Sequence, residues 1–190
     1  MEIFGIPIQA MMGQLLIGLI NGSFYALLSL GLAVIFGLLN IINFAHGAQY
    51  MLGAFGAYLL LNKLGLGYWW SLLVVPILVG ATGVVIERTM LKPLYKLDHL
   101  YGLLLTFGLA LIIQGLFRNE YGSTGLPYAI PEALQGGKNL GFMFLPNYRA
   151  WVIVASLVTC LSTWFVIEKT RLGGYLRAAT ENPQLVQAFG

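Results

Sequence analysis

The chain has 190 residues, of which 58% are hydrophobic and 9% charged, and its formal net charge is +3. A soluble domain carries about 25% charged residues, so this composition excludes a globule covered by water and makes the lipid bilayer the solvent. The small net charge does not indicate a nucleic-acid partner, and a single cysteine, Cys160, excludes an internal disulfide or a cysteine-built metal cluster.

The charges are clustered as well as few. No Asp, Glu, Lys or Arg lies between Glu2 and Lys63, and further gaps run from Lys63 to Glu87, Asp98 to Arg118 and Arg149 to Glu168. Each of the last three fits one membrane helix of about 20 residues, and the first fits two. The predicted fold is therefore all-α: a polytopic transmembrane helix bundle with five spans, near 11–37, 41–61, 68–86, 100–117 and 150–167, all in one domain covering 1–190. At about 1.5 Å per residue each reaches across or nearly across a hydrocarbon core of about 30 Å. The first run is too long for a cleaved leader, and it is preceded by Glu2 without Lys or Arg, so it is expected to stay as a span.

In the first span, Gly18, Gly22 and Ala26 recur every four residues and form a stripe that would let another helix approach closely. Gln14, Asn21 and Tyr25 share a neighbouring face. Polar groups inside a span face protein or water, so they either bond to another helix or line a substrate path. At the start of the second span Asn40, Asn43, His46 and Gln49 recur every three residues in an apolar run. They cannot all face lipid; the asparagines can cap a helix that begins there, and Gly47 permits a break or close crossing. A lone His such as His46 is more often a packing residue than a proton or metal site.

Tyr68, Trp69 and Trp70 open the third span and Trp151 stands near the start of the fifth, positions that suit the headgroup level. Arg88, Lys92 and Lys96 follow the third span, where Pro93 is expected to end the helix, and Lys169, Arg171 and Arg177 follow the fifth. Both loops read as cytoplasmic. The long segment 118–149 between them, with Pro127, Pro131 and Pro146, is then outside and expected to be irregular. Counting back places the N-terminus outside, unless a re-entrant segment near 40–47 reverses it. From Thr170 onward a glycine pair, an amphipathic pattern and Asn182-Pro183 predict two short helices in a cytoplasmic loop, either a docking surface or an ordinary interfacial loop. The sequence stops at Gly190 within that polar loop, so further spans are expected beyond it.

No phosphate loop of the G-x-x-x-x-G-K-[ST] type, no Cys/His metal spacing, no G-x-S-x-G elbow and no carboxylate pair within a span is present in the sequence. A catalytic site, a metal and a cofactor are therefore not expected. Energy for transport would come from partner chains, or transport would be passive.

The run from Asn21 to Gly47, Asn-Gly-Ser-Phe-Tyr-Ala-Leu-Leu-Ser-Leu-Gly-Leu-Ala-Val-Ile-Phe-Gly-Leu-Leu-Asn-Ile-Ile-Asn-Phe-Ala-His-Gly, resembles the bacterial branched-chain amino acid ABC transporter permease, H-type subunit. Its Ile-Asn-Phe-Ala-His-Gly core is the most specific part. Leu104-Leu-Thr-Phe-Gly108 and Gly174-Tyr-Leu-Arg-Ala-Ala-Thr-Glu-Asn-Pro183 are similar to the same family. The resemblance implies a multi-pass inner-membrane subunit that pairs with a second, related permease. It also implies two cytoplasmic ATPase subunits and a periplasmic binding protein that delivers leucine, isoleucine or valine. It places the segment 40–47 near the translocation path; with the polar residues of the first two spans, the candidate path residues are Asn21, Tyr25, Asn40, Asn43, His46 and Gln49. An ATPase-coupling loop near 170–190 would use Arg177, Ala178, Glu181, Asn182 and Pro183, and the outer loop 118–149 would face the binding protein. Sister families carry urea or short amides, and Phe44 favours the amino-acid branch. A passive channel or scaffold is the rival from another class.

Overall fold

A computed structural model describes residues 2–3, 6–38 and 42–181. In chain order the elements are β1 (Glu2–Ile3), β2 (Ile6–Pro7), α1 (Ile8–Leu32), α2 (His46–Leu64), α3 (Tyr68–Ile86), α4 (His99–Tyr121), β3 (Gly137–Asn139), β4 (Phe144–Pro146), α5 (Asn147–Lys169) and α6 (Arg171–Glu181). The α1 helix runs on as a π-helical turn, Ala33–Leu38, and α3 continues through a π-helical turn, Glu87–Leu91, into a 3-10 turn, Lys92–Lys96. Four helical stretches are long and apolar enough to cross a membrane: Ile8–Gly37, Tyr68–Lys96, His99–Tyr121 and Asn147–Lys169. They occupy four of the five expected places. The other, α2, is a 19-residue helix carrying His46, Gln49, Asn62 and Lys63, and these polar residues keep it out of that set.

The chain divides into two compact units, residues 1–40 with 132–190 and residues 41–131. In the first, α1 packs against α5. The seam is made by Ile20 and Ser23 on α1 and by Val152 and Ser156 on α5, all buried. The small serines permit close approach, and the Ser156 hydroxyl donates to the Ser23 carbonyl at 3.0 Å. Ser23 in turn donates to Leu19 O in its own helix at 2.8 Å, so neither hydroxyl is left unsatisfied in an apolar surround. The segment before α5, expected to be irregular, contains an antiparallel hairpin instead. Gly137 pairs with Pro146, Lys138 with Leu145 and Asn139 with Phe144. The turn closes because Gly141 adopts a φ of 84° and donates its N–H to Asn139 Oδ1 at 2.9 Å. Asn147 then ties the hairpin to the start of α5 through bonds to Gln135 O and Gly136 O.

In the second unit α2 and α3 form an antiparallel helical hairpin. Its link is short because Gly65, at φ 64°, turns the chain while Gly65 N–H and Leu66 N–H donate to Leu61 O and Leu60 O. Val75 fills the space left by Gly53 and Gly56: a Cβ added at Gly56 would stand 3.4 Å from a Val75 methyl. Farther along, a Cβ at Gly83 would meet the Gln49 amide at 3.6 Å, so the two helices run side by side along most of α2. Phe55 of α2 lies against Phe117 and Tyr121 of α4, with ring centroids 4.4 and 5.2 Å apart. Asp98 caps α4 by accepting the Leu100 N–H at 2.9 Å.

Several boundaries differ from the sequence expectation by a few residues, and two of the differences have a local cause. The second helix starts at His46 rather than 41, because Asn43 Oδ1 accepts the Ala45 N–H at 2.9 Å and holds a turn at 44–45. Pro93 does not terminate α3. The α-helical geometry has already given way at Glu87, and Pro93 sits at the start of the 3-10 turn, where its missing N–H costs nothing.

Candidate functional site

Three of the sequence-chosen path residues come together in the second unit. Asn43, His46 and Gln49 occupy the turn and first helical turn at the head of α2. His46 and Gln49 are three apart on one helix and so lie on one side of it. Asn43 closes the turn, its carbonyl accepting the His46 N–H at 3.3 Å. Asn40 lies outside the described residues.

The anchor of this segment is a residue that sequence reasoning quoted within a motif without assigning it a task. Thr106 of α4 is fully buried, and its hydroxyl accepts the Phe44 N–H at 3.2 Å while donating to Leu103 O at 3.1 Å. A backbone N–H ahead of a helix has no partner within the helix, so Thr106 supplies one from a neighbouring element. Phe44 also meets Phe107 edge to face at 6.1 Å, which fixes the same turn from its apolar side. Ala45 and Ala48 are buried beside it. The signal that could have singled out Thr106 was a lone hydroxyl in an otherwise apolar run.

Asn21 and Tyr25 lie on α1, both exposed. They point away from the seam with α5, as do Gly18 and Gly22, at which an added Cβ would meet nothing within 4 Å among the described residues. The expected close helix approach on the Gly18, Gly22 and Ala26 stripe is therefore not the one that forms with α5; that contact uses the opposite side of α1, through Ile20 and Ser23. In lipid, packing and interhelical hydrogen bonds rather than apolar burial drive such contacts, and here the seam has the Ser156–Ser23 bond beside Ile20 and Val152.

Of the coupling residues, Arg177, Ala178 and Glu181 lie on α6, while Asn182 and Pro183 lie outside the described residues. Thr170 caps α6, its hydroxyl oxygen accepting the Gly173 N–H at 3.4 Å. Arg171, Gly174, Tyr175, Ala178 and Glu181 are exposed along one side, whereas Gly173 is buried and Leu176, Arg177 and Thr180 are half-buried. Arg177 lies at the edge of the exposed side with its side chain part-exposed: its guanidinium donates to Ile167 O and stands 3.8 Å from the Glu168 carboxylate. On α6 Arg177 and Glu181 are four residues apart and so neighbours along the helix, with Ala178 about a quarter-turn away. Among the described residues no group of His, Cys, Asp and Glu could hold a metal ion.

Four helices long and apolar enough to cross a membrane define a multi-pass membrane protein, and the family match places it in the permease class. The sequence profile of the family described as branched-chain amino acid transport system / permease component matches residues 14–190, and the chain belongs to that family. It is similar to the high-affinity branched-chain amino acid transport system permease protein BraD of Pseudomonas aeruginosa, with 26% identity covering 93% of this chain and 61% of that protein. The corresponding LivH protein of Escherichia coli K12 is 25% identical over the same shares. The LivM protein of that organism is 31% identical, but over 57% of this chain and 24% of its own length, so the H-type likeness is the one that runs along most of the chain. The chain spans about three-fifths of the length of the H-type relatives. No solved structure matches it.

Proposed function

We propose that this chain is the membrane permease of an ATP-binding-cassette importer that brings leucine, isoleucine and valine into the cytoplasm across the bacterial inner membrane. The observation that carries this reading is the family match from residue 14 to residue 190, joined to relatives whose names specify branched-chain amino acid transport. The chain has no catalysis of its own. It lacks a phosphate loop in its sequence, and two cytoplasmic ATPase subunits supply the energy that switches the permease between inward-open and outward-open states. A second, related permease completes the path; the partial likeness to the M-type relative supports such a pairing. A periplasmic amino-acid-binding protein delivers the cargo, and lipid surrounds the spans.

Five crossings are supported by the α2–α3 hairpin. Its two helices are each 19 residues long and run side by side, so α2 shares the depth of α3 despite its polar residues. With five crossings the groups Arg88, Lys92, Lys96 and Lys169, Arg171, Arg177 fall on one side, the cytoplasm. The β3–β4 hairpin then lies outside, toward the binding protein. Asn21, Tyr25, Asn40, Asn43, His46 and Gln49 line the path, and the stretch from Arg177 through Ala178, Glu181, Asn182 and Pro183 belongs to the ATPase-coupling loop.

The test is uptake of labelled leucine, against labelled urea, in cells lacking other importers. Leucine uptake that stops on ATP depletion is the expected result. Uptake of urea alone transfers the chain to the amide branch. Leucine uptake that persists without ATP makes it a passive channel. Deleting residues 177–190 should also abolish co-purification of the ATPase subunits, and unchanged co-purification would remove the coupling assignment.

A further inference from the structure

The junction of α5 and α6 concentrates several interactions on the last turn of α5. The final carbonyls of a helix have no partner within it. Here Val166 O accepts the Thr170 hydroxyl, and Ile167 O accepts the Arg177 guanidinium from ten residues on. The same Ile167 carbonyl is what a Cβ at Gly173 would strike, so the first turn of α6 passes it backbone to backbone, as only glycine permits. Thr170 makes the corner, extended at φ −110° and ψ 160°, and caps α6. The inward side of α6 also rests beside the π-helical turn Ala33–Leu38 at the end of α1.

We propose that Arg177 is a positioning residue that fixes the direction in which α6 leaves α5, and that it does not itself meet the ATPase. A guanidinium suits this task. Its Nη1 donates to the carbonyl while the Glu168 carboxylate stands 3.8 Å from the same nitrogen, and its charge is favourable at a helix C-terminus. The ion pair with Glu168 is exposed and adds little; the bond to the Ile167 carbonyl is the part that orients. Without the bond at residue 177 the tight hold on α5 is confined to the first turn of α6, at Thr170 and Gly173, and the helix can pivot about that turn. Tied also at residue 177, almost two turns after Thr170, it presents a fixed outer side. This rests on the reading of the segment as a coupling loop for its functional consequence, but not for the geometry.

The experiment is a distance measurement by electron spin resonance on the full chain in lipid. Nitroxide labels are placed at Thr159→Cys on α5 and Ala178→Cys on α6, in a Cys160→Ser background. With Arg177 present a single narrow distance is expected. In Arg177→Met the narrow distribution is lost, and in Arg177→Lys, which keeps a donor group and the charge, it returns. Leucine uptake should fall in the Met variant and recover in the Lys variant. A Met variant with the wild-type distribution overturns the proposal, and if uptake is nevertheless lost, Arg177 is a contact residue instead. Absence of leucine uptake in the unaltered protein would overturn the transport reading while leaving the distance result standing.

Discussion

The hydroxyl of Thr106, on α4, holds the backbone N–H of Phe44 at 3.2 Å, joining residues 62 apart in sequence. That bond places the turn from which His46 and Gln49 enter α2. Thr106→Val keeps the shape and removes the acceptor, leaving a part-buried N–H unpaired at a cost of about 1–3 kcal/mol. Thr106→Ser keeps the acceptor. The expected outcome is a lowered unfolding midpoint and reduced leucine uptake in Val, with Ser close to wild type in both. Equal behaviour of the two variants would mean the bond does not position the segment.

A second prediction concerns the α2–α3 hairpin. Alanine at Gly56 would just touch Val75 at 3.4 Å, so Gly56→Ala should unfold near the wild-type midpoint. Gly56→Leu must push the helices apart, at a cost of about 1–3 kcal/mol typical of overpacking. Thermal unfolding in detergent distinguishes them, and a stable Leu variant would show that the two helices do not pack as described.

A third prediction separates hydrogen bonding from packing in the α1–α5 seam. Ser156→Ala loses the bond to Ser23 O; in membranes such bonds average about 0.6 kcal/mol. Ser156→Leu forces a large side chain into the same buried place and should cost several times more. Titration with a denaturing detergent reads both, and a larger loss in Ala than in Leu would refute a close seam.

A fourth prediction addresses the exposed side of α1. Tyr25 is 67% exposed, and Asn21 and Tyr25 take no part in the seam. Asn21→Leu and Tyr25→Phe should leave the unfolding midpoint unchanged. If the two side chains bond cargo, each should lower leucine uptake by about fivefold, the effect of one hydrogen bond of about 1 kcal/mol. Normal uptake in both variants would remove them from the path.

The positions of the long helices were legible because apolar runs and charge gaps are properties of the chain itself. The third expected span, 68–86, coincides with α3, bounded by Gly67 and the charged Glu87. The head of α2 was legible as polar and special, but its starting residue was not, since the turn at 44–45 depends on a side-chain bond from Asn43. The β3–β4 hairpin was missed because its strands are three residues each and surrounded by Gly and Pro, so no alternation could develop.

By itself the sequence determined that this protein lives in a bilayer, roughly where its long helices lie and to which family it belongs. All three follow from which side chains are present and in what order. The tertiary structure decided what each chosen residue does. It turned α1 so that Ile20 and Ser23, not the glycine stripe, meet α5, and it buried Thr106 under Phe44. It also bent α6 back so that Arg177 reaches Ile167 O while Ala178 and Glu181 face outward. A helix pattern fixes which residues share a side. Which side is covered depends on where another helix finds the closest packing and the best hydrogen bonds, and that is settled only when distant segments meet.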